Sequence, residues 1–248
     1  MSYKVIAAIN DLHWPFADKK AWAVTQLFLR DIKPDKIIML GDMLDEPQLS
    51  KFDKDPSRKD TVQRDADGLK VQLNIIRENH VDAELVYMFG NHDERLRKYI
   101  WRAAPGLDSI KFIKLEKILG LEKMNYKFYT RANELHREGN LLFTHGTMVS
   151  QDSGMTARRM VKKYGMSIMH GHTHRGGSHY DTKVNKTLGG WENFCLCDLG
   201  LAKIWGTGHP NWQQGLSLIY MKPPKRFIVN QILIYKGSLM FGGQEWKV

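Results

Sequence analysis

The sequence predicts an α/β fold, and three observations carry that prediction. Short apolar runs of strand length recur through the first two-thirds of the chain. Amphipathic stretches of helical period separate them, and the last third changes to closely spaced β-like runs. Five of the apolar runs end in a short polar cluster of Asp, Asn or His. Ligands bind open α/β sheets at the carboxyl ends of the strands, so these clusters are expected to meet at one site.

Residues 3–9 read as a buried first strand that runs into Asn10-Asp11-Leu12-His13-Trp14-Pro15, where proline ends regular structure. If the chain stays extended there, Asp11 and His13 point to the same side, which suits two ligands of one metal. Asp18 is placed to cap a helix reaching about residue 32, with Val24, Leu27, Phe28 and Ile32 on one face and Pro34 just beyond. Residues 36–40 form a second buried strand. Gly41 then permits a sharp turn, and Asp42 and Asp45 follow at a spacing of three. Residues 46–59 are charged and irregular, with Pro47 and Pro56. Residues 60–79 return to a helical period through Val62, Ala66, Leu69, Leu73 and Ile76, and Asp60 with Gln63 resembles a capping box.

Residues 83–89 are a third strand, ending in Gly90-Asn91-His92-Asp93. A helix bearing Arg95, Arg97, Lys98 and Arg102 follows, and Pro105-Gly106 ends it. A further helix is expected over residues 109–119, and short strands within 125–138. Residues 140–143 form a strand ending in Thr144-His145-Gly146. Ser153 is placed to cap a helix with Ala157, Met160, Val161 and Tyr164 inward and Arg158, Arg159, Lys162 and Lys163 outward. Ser167-Ile168-Met169 leads into His170-Gly171-His172-Thr173-His174. Short strands follow near residues 179–182 and 186–188. Residues 215–221 and 227–235 then form a hairpin about Pro223-Pro224. No repeat, low-complexity stretch or linker interrupts the pattern, so residues 1–248 read as a single domain with a β-rich C-terminal part from about residue 178.

At 248 residues, 42% hydrophobic and 26% charged, the chain suits a globular protein with a substantial core. No apolar run approaches the ~18 residues that cross a bilayer, so no membrane partner is expected. The start lacks the long apolar core of a secretory signal. Cys195 and Cys197 are too close for an easy mutual disulfide and read as structural thiols in a reducing, cytoplasmic setting. A net charge of +10 and a pI near 9.5 favour a polyanionic partner. The basic clusters at 95–102 and 158–163, with Trp14, Tyr99 and Trp101 nearby in sequence, suit nucleic acid or merely solvated helix faces.

The five clusters together offer imidazole, carboxylate and one amide, with no thiolate. That set suits Mn²⁺, Fe or Zn²⁺ rather than a cysteine-type structural zinc. In this order, Asp-x-His, Gly-Asp-x-x-Asp, Gly-Asn-His-Asp, His-Gly and Gly-His-x-His resemble the signature of the calcineurin-like metallophosphoesterase superfamily. The match runs from Asp11 to His174. Within that superfamily the chain is similar to small phosphoesterases encoded by phages and bacteria. The similarity lies in its Asp11-Leu12-His13-x-Pro15-Phe16 opening, residues 48–56, Cys195-Leu196-Cys197-Asp198 and Pro210-Asn211-Trp212-Gln213-Gln214-Gly215. The last of these reads either as a turn leading into a strand or as a rim of the site.

The resemblance implies a four-layer α/β/β/α sandwich that holds two divalent metal ions, Mn²⁺ foremost, with Fe, Zn²⁺ and Ni²⁺ as alternatives. It places Asp11, His13 and His174 at the first metal, Asn91, His145 and His172 at the second, and Asp42 between them. His92 is implied as the catalytic histidine beside the metals. Asp45 is implied as the carboxylate that orients it, fixing its tautomer and raising its pKa. His170 falls outside the pattern and is expected to be structural.

The implied activity is that of a binuclear metal-dependent phosphohydrolase, foremost a phosphodiesterase with some phosphomonoesterase activity. A metal-bridging hydroxide would attack phosphorus in line, the paired cations offsetting the negative charge that protects a phosphoester. Phosphoprotein phosphatases of the superfamily carry an arginine where this chain has Glu46, which counts against a phosphoprotein substrate. Arg95 is the candidate phosphate clamp, a solvated helix face being its other reading. The alternative function is a nuclease acting on DNA or RNA, although the repair exonucleases usually add a C-terminal domain. A non-catalytic scaffold would be expected to have lost metal ligands, and here all seven positions are filled. The expected partner is a phosphoester substrate, nucleotides and nucleic acids included; the oligomeric state stays open.

Overall fold

A computed structural model of the chain describes residues 3–51, 59–201, 210–222 and 226–248. Strands β1 (Lys4–Ile9), β2 (Lys36–Met39), β3 (Glu84–Met88) and β4 (Tyr126–Tyr129) lie side by side and parallel. The first three are buried on both faces over most of their length, so they read as unbroken apolar runs. β10 (Gln214–Lys222) pairs antiparallel with β1. β11 (Arg226–Tyr235), β12 (Ser238–Phe241) and β13 (Gln244–Lys247) extend that side as a meander. The resulting sheet has the order β13-β12-β11-β10-β1-β2-β3-β4. A second sheet has the order β5-β6-β7-β9-β8. It is built from β5 (His136–Glu138), β6 (Leu141–Thr144), β7 (Ser167–His170), β8 (Gly176–Thr182) and β9 (Thr187–Asn193).

The sheets face each other across Ile6, Ala8, Ile38, Leu40, Val86, Met88 and Ile219 on one side and Phe143, Met169 and Trp191 on the other. The outer face of the larger sheet is covered by α1 (Lys19–Ile32) and α2 (Val62–Asn79), which bury Val24, Phe28, Leu69 and Leu73. Helix α5 (Met155–Tyr164) covers the smaller sheet, packing Met160 and Val161 on Leu142 and Ile168. The layers are therefore helix, sheet, sheet, helix. Helices α3 (Arg95–Ala103) and α4 (Leu115–Leu119) lie between β3 and β4 in the chain. Among the described residues no helix is long and apolar enough to cross a membrane.

Several local expectations change. Asp18 caps α1 as expected, accepting from the backbone N–H of Lys20 and Ala21. Helix α2, however, is capped by Thr61, whose hydroxyl accepts from Arg64 N, while Gln63 turns to Asp67. Gly154, at φ 80°, stands at the N-cap of α5 and the Ser153 hydroxyl instead donates to Gly176 O. The helix expected over 109–119 breaks into two 3₁₀ turns and the short α4, because Ile110 and Lys114 are extended. β8 and β9 are longer than their sequence suggested, since Gly176, Gly177, Gly189 and Gly190 weaken the strand signal without breaking pairing. The hairpin of β10 and β11 forms in register Lys222↔Arg226; its Pro223-Pro224 turn lies outside the described residues, as do residues 52–56 of the 48–56 stretch.

At the amino ends of the strands, buried Lys36 pairs with Glu84 at 2.8 Å and with Glu138. Burial would raise the Glu138 pKa, but hydrogen bonds from His136 and Lys36 and the charges of Lys36 and Lys4 outweigh it and hold the group at about 2.

Candidate metal centre

The opposite, carboxyl ends of the strands carry the five polar clusters, and the backbone stitches them together. Asp11 N donates to Gly41 O (3.0 Å), His13 N to Asp42 O (2.9 Å), Trp14 N to Met43 O (2.9 Å) and Asp45 N to Trp14 O (3.0 Å). The first two loops thus run as one ladder beyond β1 and β2. Asp42 Oδ1 accepts from His92 N at 2.7 Å, tying in the third cluster. Asp11 Oδ2 accepts from His172 N at 2.9 Å, tying in the fifth. The His145 ring donates from Nδ1 to Leu40 O at 2.8 Å, tying in the fourth.

This convergence strains the backbone. Asp11, His13, Asp42, His172 and His174 all have φ between 50° and 74°, in the left-handed region that non-glycine residues seldom occupy. Such strain concentrates where the surrounding structure over-determines a site. Glycine is required beside it: a Cβ on Gly90 would lie 2.0 Å from Asp42 Oδ1.

Each cluster sends at least one side chain to the centre. His13 Nε2 lies 3.0 Å from His174 Nε2 and 3.7 Å from Asp11 Oδ1, and the latter oxygen is buried without a hydrogen-bond partner. His145 Nε2 lies 3.1 Å from Asn91 Oδ1 and 3.2 Å from Asp42 Oδ2. Asp42 Oδ2 is also 3.9 Å from His13 Nε2, and His172 completes a second group with Asp42 and His145. With His145 Nδ1 donating to Leu40 and His13 Nδ1 donating to Asp45, the Nε2 lone pairs point at other acceptors. Nitrogen facing carboxylate and amide oxygens at about 3 Å needs a proton or a cation between them, and N/O donors at this separation fit the first coordination sphere of a divalent metal. The residues present therefore suit two ions, with Asp42 shared.

The charges agree. Although burial opposes it, the carboxylates of Asp42 and Asp11 raise the His145 pKa to about 9. Asp11 and Cys197 do the same for His174, also to about 9. His172, buried next to His145, falls to about 3 and stays a neutral donor. Burial, helped by the nearby His13, lowers the His92 pKa; Asp42 and Asp45 pull it up, Asp45 in the direction expected, and are outweighed.

His92 donates from Nδ1 to Asp45 Oδ1 at 2.7 Å, leaving Nε2 toward the centre, 3.9 Å from Asp42 Oδ2. Arg95 does not lie on a solvated face. Its Nη1 donates to Asp45 O at 2.5 Å and its Nη2 lies 3.3 Å from His92 Nε2. Glu46 turns inward, Oε2 accepting from Leu96 N near the start of α3; burial pushes its pKa up to about 8, which favours the neutral acid. His170 is buried and donates to Gly171 O, in keeping with a structural part. Cys195 and Cys197 are buried free thiols beside His174. The Trp212 ring lies 4.4 Å from that of His174, so the Asn211-Trp212-Gln213 segment does border the site.

Two supports were not visible in the sequence. Asp93 accepts from the backbone N–H of Asp42, Leu44 and Gly90 and from Tyr87 OH, locking the second cluster to the third. Asn193 donates to Asn10, whose amide in turn holds Asp11. Their only signal was position: Asp93 closes the third motif and Asn10 opens the first.

A four-layer sandwich with a shared carboxylate among histidines at its strand ends defines a class of metal-dependent phosphoesterases. The chain belongs to the calcineurin-like phosphoesterase family, whose pattern matches residues 4–176. It is 28% identical to the Gene 54 protein of Mycobacterium phage D29 and 27% identical to that of Mycobacterium phage L5, each alignment spanning 99% of both chains. Its fold is similar to that of Vacuolar Protein Sorting 29 from Cryptosporidium parvum, with a TM-score of 0.52 and 13% identity over the full length of both chains.

Proposed function

We propose that the chain is a binuclear metal-dependent phosphodiesterase with some phosphomonoesterase activity, Mn²⁺ being the first metal to try. The observation that carries this reading is Asp42: one oxygen is fixed by His92 N, and the other lies within reach of both histidine groups. Asp11, His13 and His174 would hold one ion and Asn91, His145 and His172 the other. Bound there, two divalent ions would polarise water and offset the charge of the phosphoryl oxygens.

The other residues serve the leaving group. Asp45 fixes His92 so that Nε2 faces the reacting oxygens. A phosphate anion beside Nε2 adds negative charge that favours the protonated ring, which can then donate to the departing alkoxide. Arg95 holds Asp45 and presents Nη2 next to His92 Nε2, where it can bind a phosphoryl oxygen. Arg97 and Lys98 pair with Glu94, which favours a small diester over a nucleic acid tracked along α3.

The test compares hydrolysis of bis-p-nitrophenyl phosphate and p-nitrophenyl phosphate by Mn²⁺-reloaded protein, with Asp42→Asn as the blank. Preference for the diester is expected. Preference for the monoester, or no turnover with metal bound, contradicts the proposal.

A further inference from the structure

One cavity lies far from the metal centre. It opens between the two sheets at the amino end of β1, with a volume of about 550 Å³, within the range of small-ligand sites. Tyr3 lines it and Asp11 stands beyond the other end of the same strand, roughly 25 Å away at ~3.3 Å per residue.

Its walls are aromatic. Trp191 packs edge-on against both Tyr180 (5.9 Å) and Phe227 (6.0 Å), one from each sheet. Gly189 is what admits the indole there, since a Cβ at that position would lie 2.2 Å from it. Tyr3 and Tyr180 are each 61% exposed, which leaves part of each ring accessible to a ligand. The rim is basic: Lys222 sits 5.9 Å over the Tyr3 ring, and Arg226 is exposed beside it. Neither cation has a carboxylate within ion-pairing distance among the described residues, and no acidic residue lines the cavity. This differs from α3, whose Arg97 and Lys98 are paired with Glu94.

Flat aromatic faces next to uncompensated cations match a ligand that is planar at one end and anionic at the other. Rings stack on a base, while guanidinium and ammonium groups take the phosphate. We infer that this cavity binds a nucleotide, its base between Tyr3 and Tyr180 and its phosphate at Lys222 and Arg226. The nucleotide is either free or part of a single strand. The site is separate from the metal centre and makes no use of it.

The test measures binding of 5′-fluorescein-labelled dT12 by anisotropy, and of dTMP by competition, with inorganic phosphate as the control competitor. The full-length chain carries Asp42→Asn so that turnover cannot intrude. Tyr180→Ala and Arg226→Glu, both at exposed side chains, are each expected to weaken binding about tenfold. Competition by dTMP at concentrations where phosphate has no effect means that a free nucleotide suffices; binding of dT12 alone means that a strand is required. Absence of binding, equal competition by phosphate, or affinity unchanged in both variants overturns the inference. On the otherwise native chain, the same two substitutions leave bis-p-nitrophenyl phosphate turnover at the native level. The binding result stands whether or not the native chain turns that substrate over, so failure here and failure of the phosphodiesterase reading are separable.

Discussion

His92 donates from Nδ1 to Oδ1 of Asp45 at 2.7 Å. The same oxygen accepts from Nδ1 of His13 at 2.8 Å, and the two imidazoles meet edge to face at 4.5 Å. One carboxylate therefore orients both a proposed metal ligand and the proposed acid. Asp45→Ala is expected to reduce turnover by about 10²-fold and metal affinity by 10–100-fold, the usual range for outer partners of a metal site. Asp45→Asn, which keeps one acceptor oxygen, should recover part of the metal affinity. Kinetics alongside metal titration check this, and a loss of turnover with metal affinity unchanged would mean that His13 does not depend on Asp45.

Asp93 gathers three backbone donors and the Tyr87 hydroxyl from two loops. Asp93→Ala leaves them buried without partners, at a cost of about 3 kcal/mol or more. Urea unfolding should show the lower midpoint. Because the same bonds fix the Asp42 backbone, metal affinity should fall as well.

Gly90→Ala drives a Cβ to 2.0 Å from Asp42 Oδ1 and 2.4 Å from Asp42 N. Overpacking of this kind costs about 1–3 kcal/mol and should displace the Asp42 carboxylate. Gly106→Ala, with nothing within 4 Å, is the control. Thermal melts and metal content of the two variants should separate clearly.

Glu138 contributes to the acid limb of stability. Its folded pKa of about 2 lies below the ordinary glutamate value of about 4.3. A depressed carboxylate contributes fully above its unfolded pKa and loses that contribution as pH falls through the folded one. Stability from this group should thus decline between about pH 4.5 and pH 2. Glu138→Gln should lower stability at pH 7 by about 1–2 kcal/mol, allowing for partial solvent screening, and flatten the decline. Chemical denaturation across that pH range provides the check; unchanged slopes would assign the acid limb to other groups.

The sequence made the layers and the site legible because both rest on local signals. β1–β3 are apolar runs that end in polar clusters, and the residues named from those clusters do converge. What stayed hidden depends on contacts across long separations. Asp93 bonds to a backbone 51 residues away, and nothing near it in sequence reports that. Glu46 opens a charged, irregular stretch, and nothing in the sequence reports that it accepts from Leu96 N at the start of α3. Arg95 was open between a phosphate clamp and a solvated helix face in the sequence, and the meeting of two loops turns it toward Asp45. Thr61 took the cap of α2 from Asp60 by a shift of one residue, beyond the resolution of a spacing argument. The β12–β13 hairpin was missed because its strands are four residues each, too short for alternation to register.

The most direct measurement is metal stoichiometry after Mn²⁺ loading and removal of free ion, for the native chain, Asp42→Asn and His92→Ala. A binuclear centre bridged by Asp42 gives about two ions per native chain, a clear loss in Asp42→Asn together with turnover, and near-native content in inactive His92→Ala. A native chain that binds no metal, or equal metal loss in the two variants, would contradict the account.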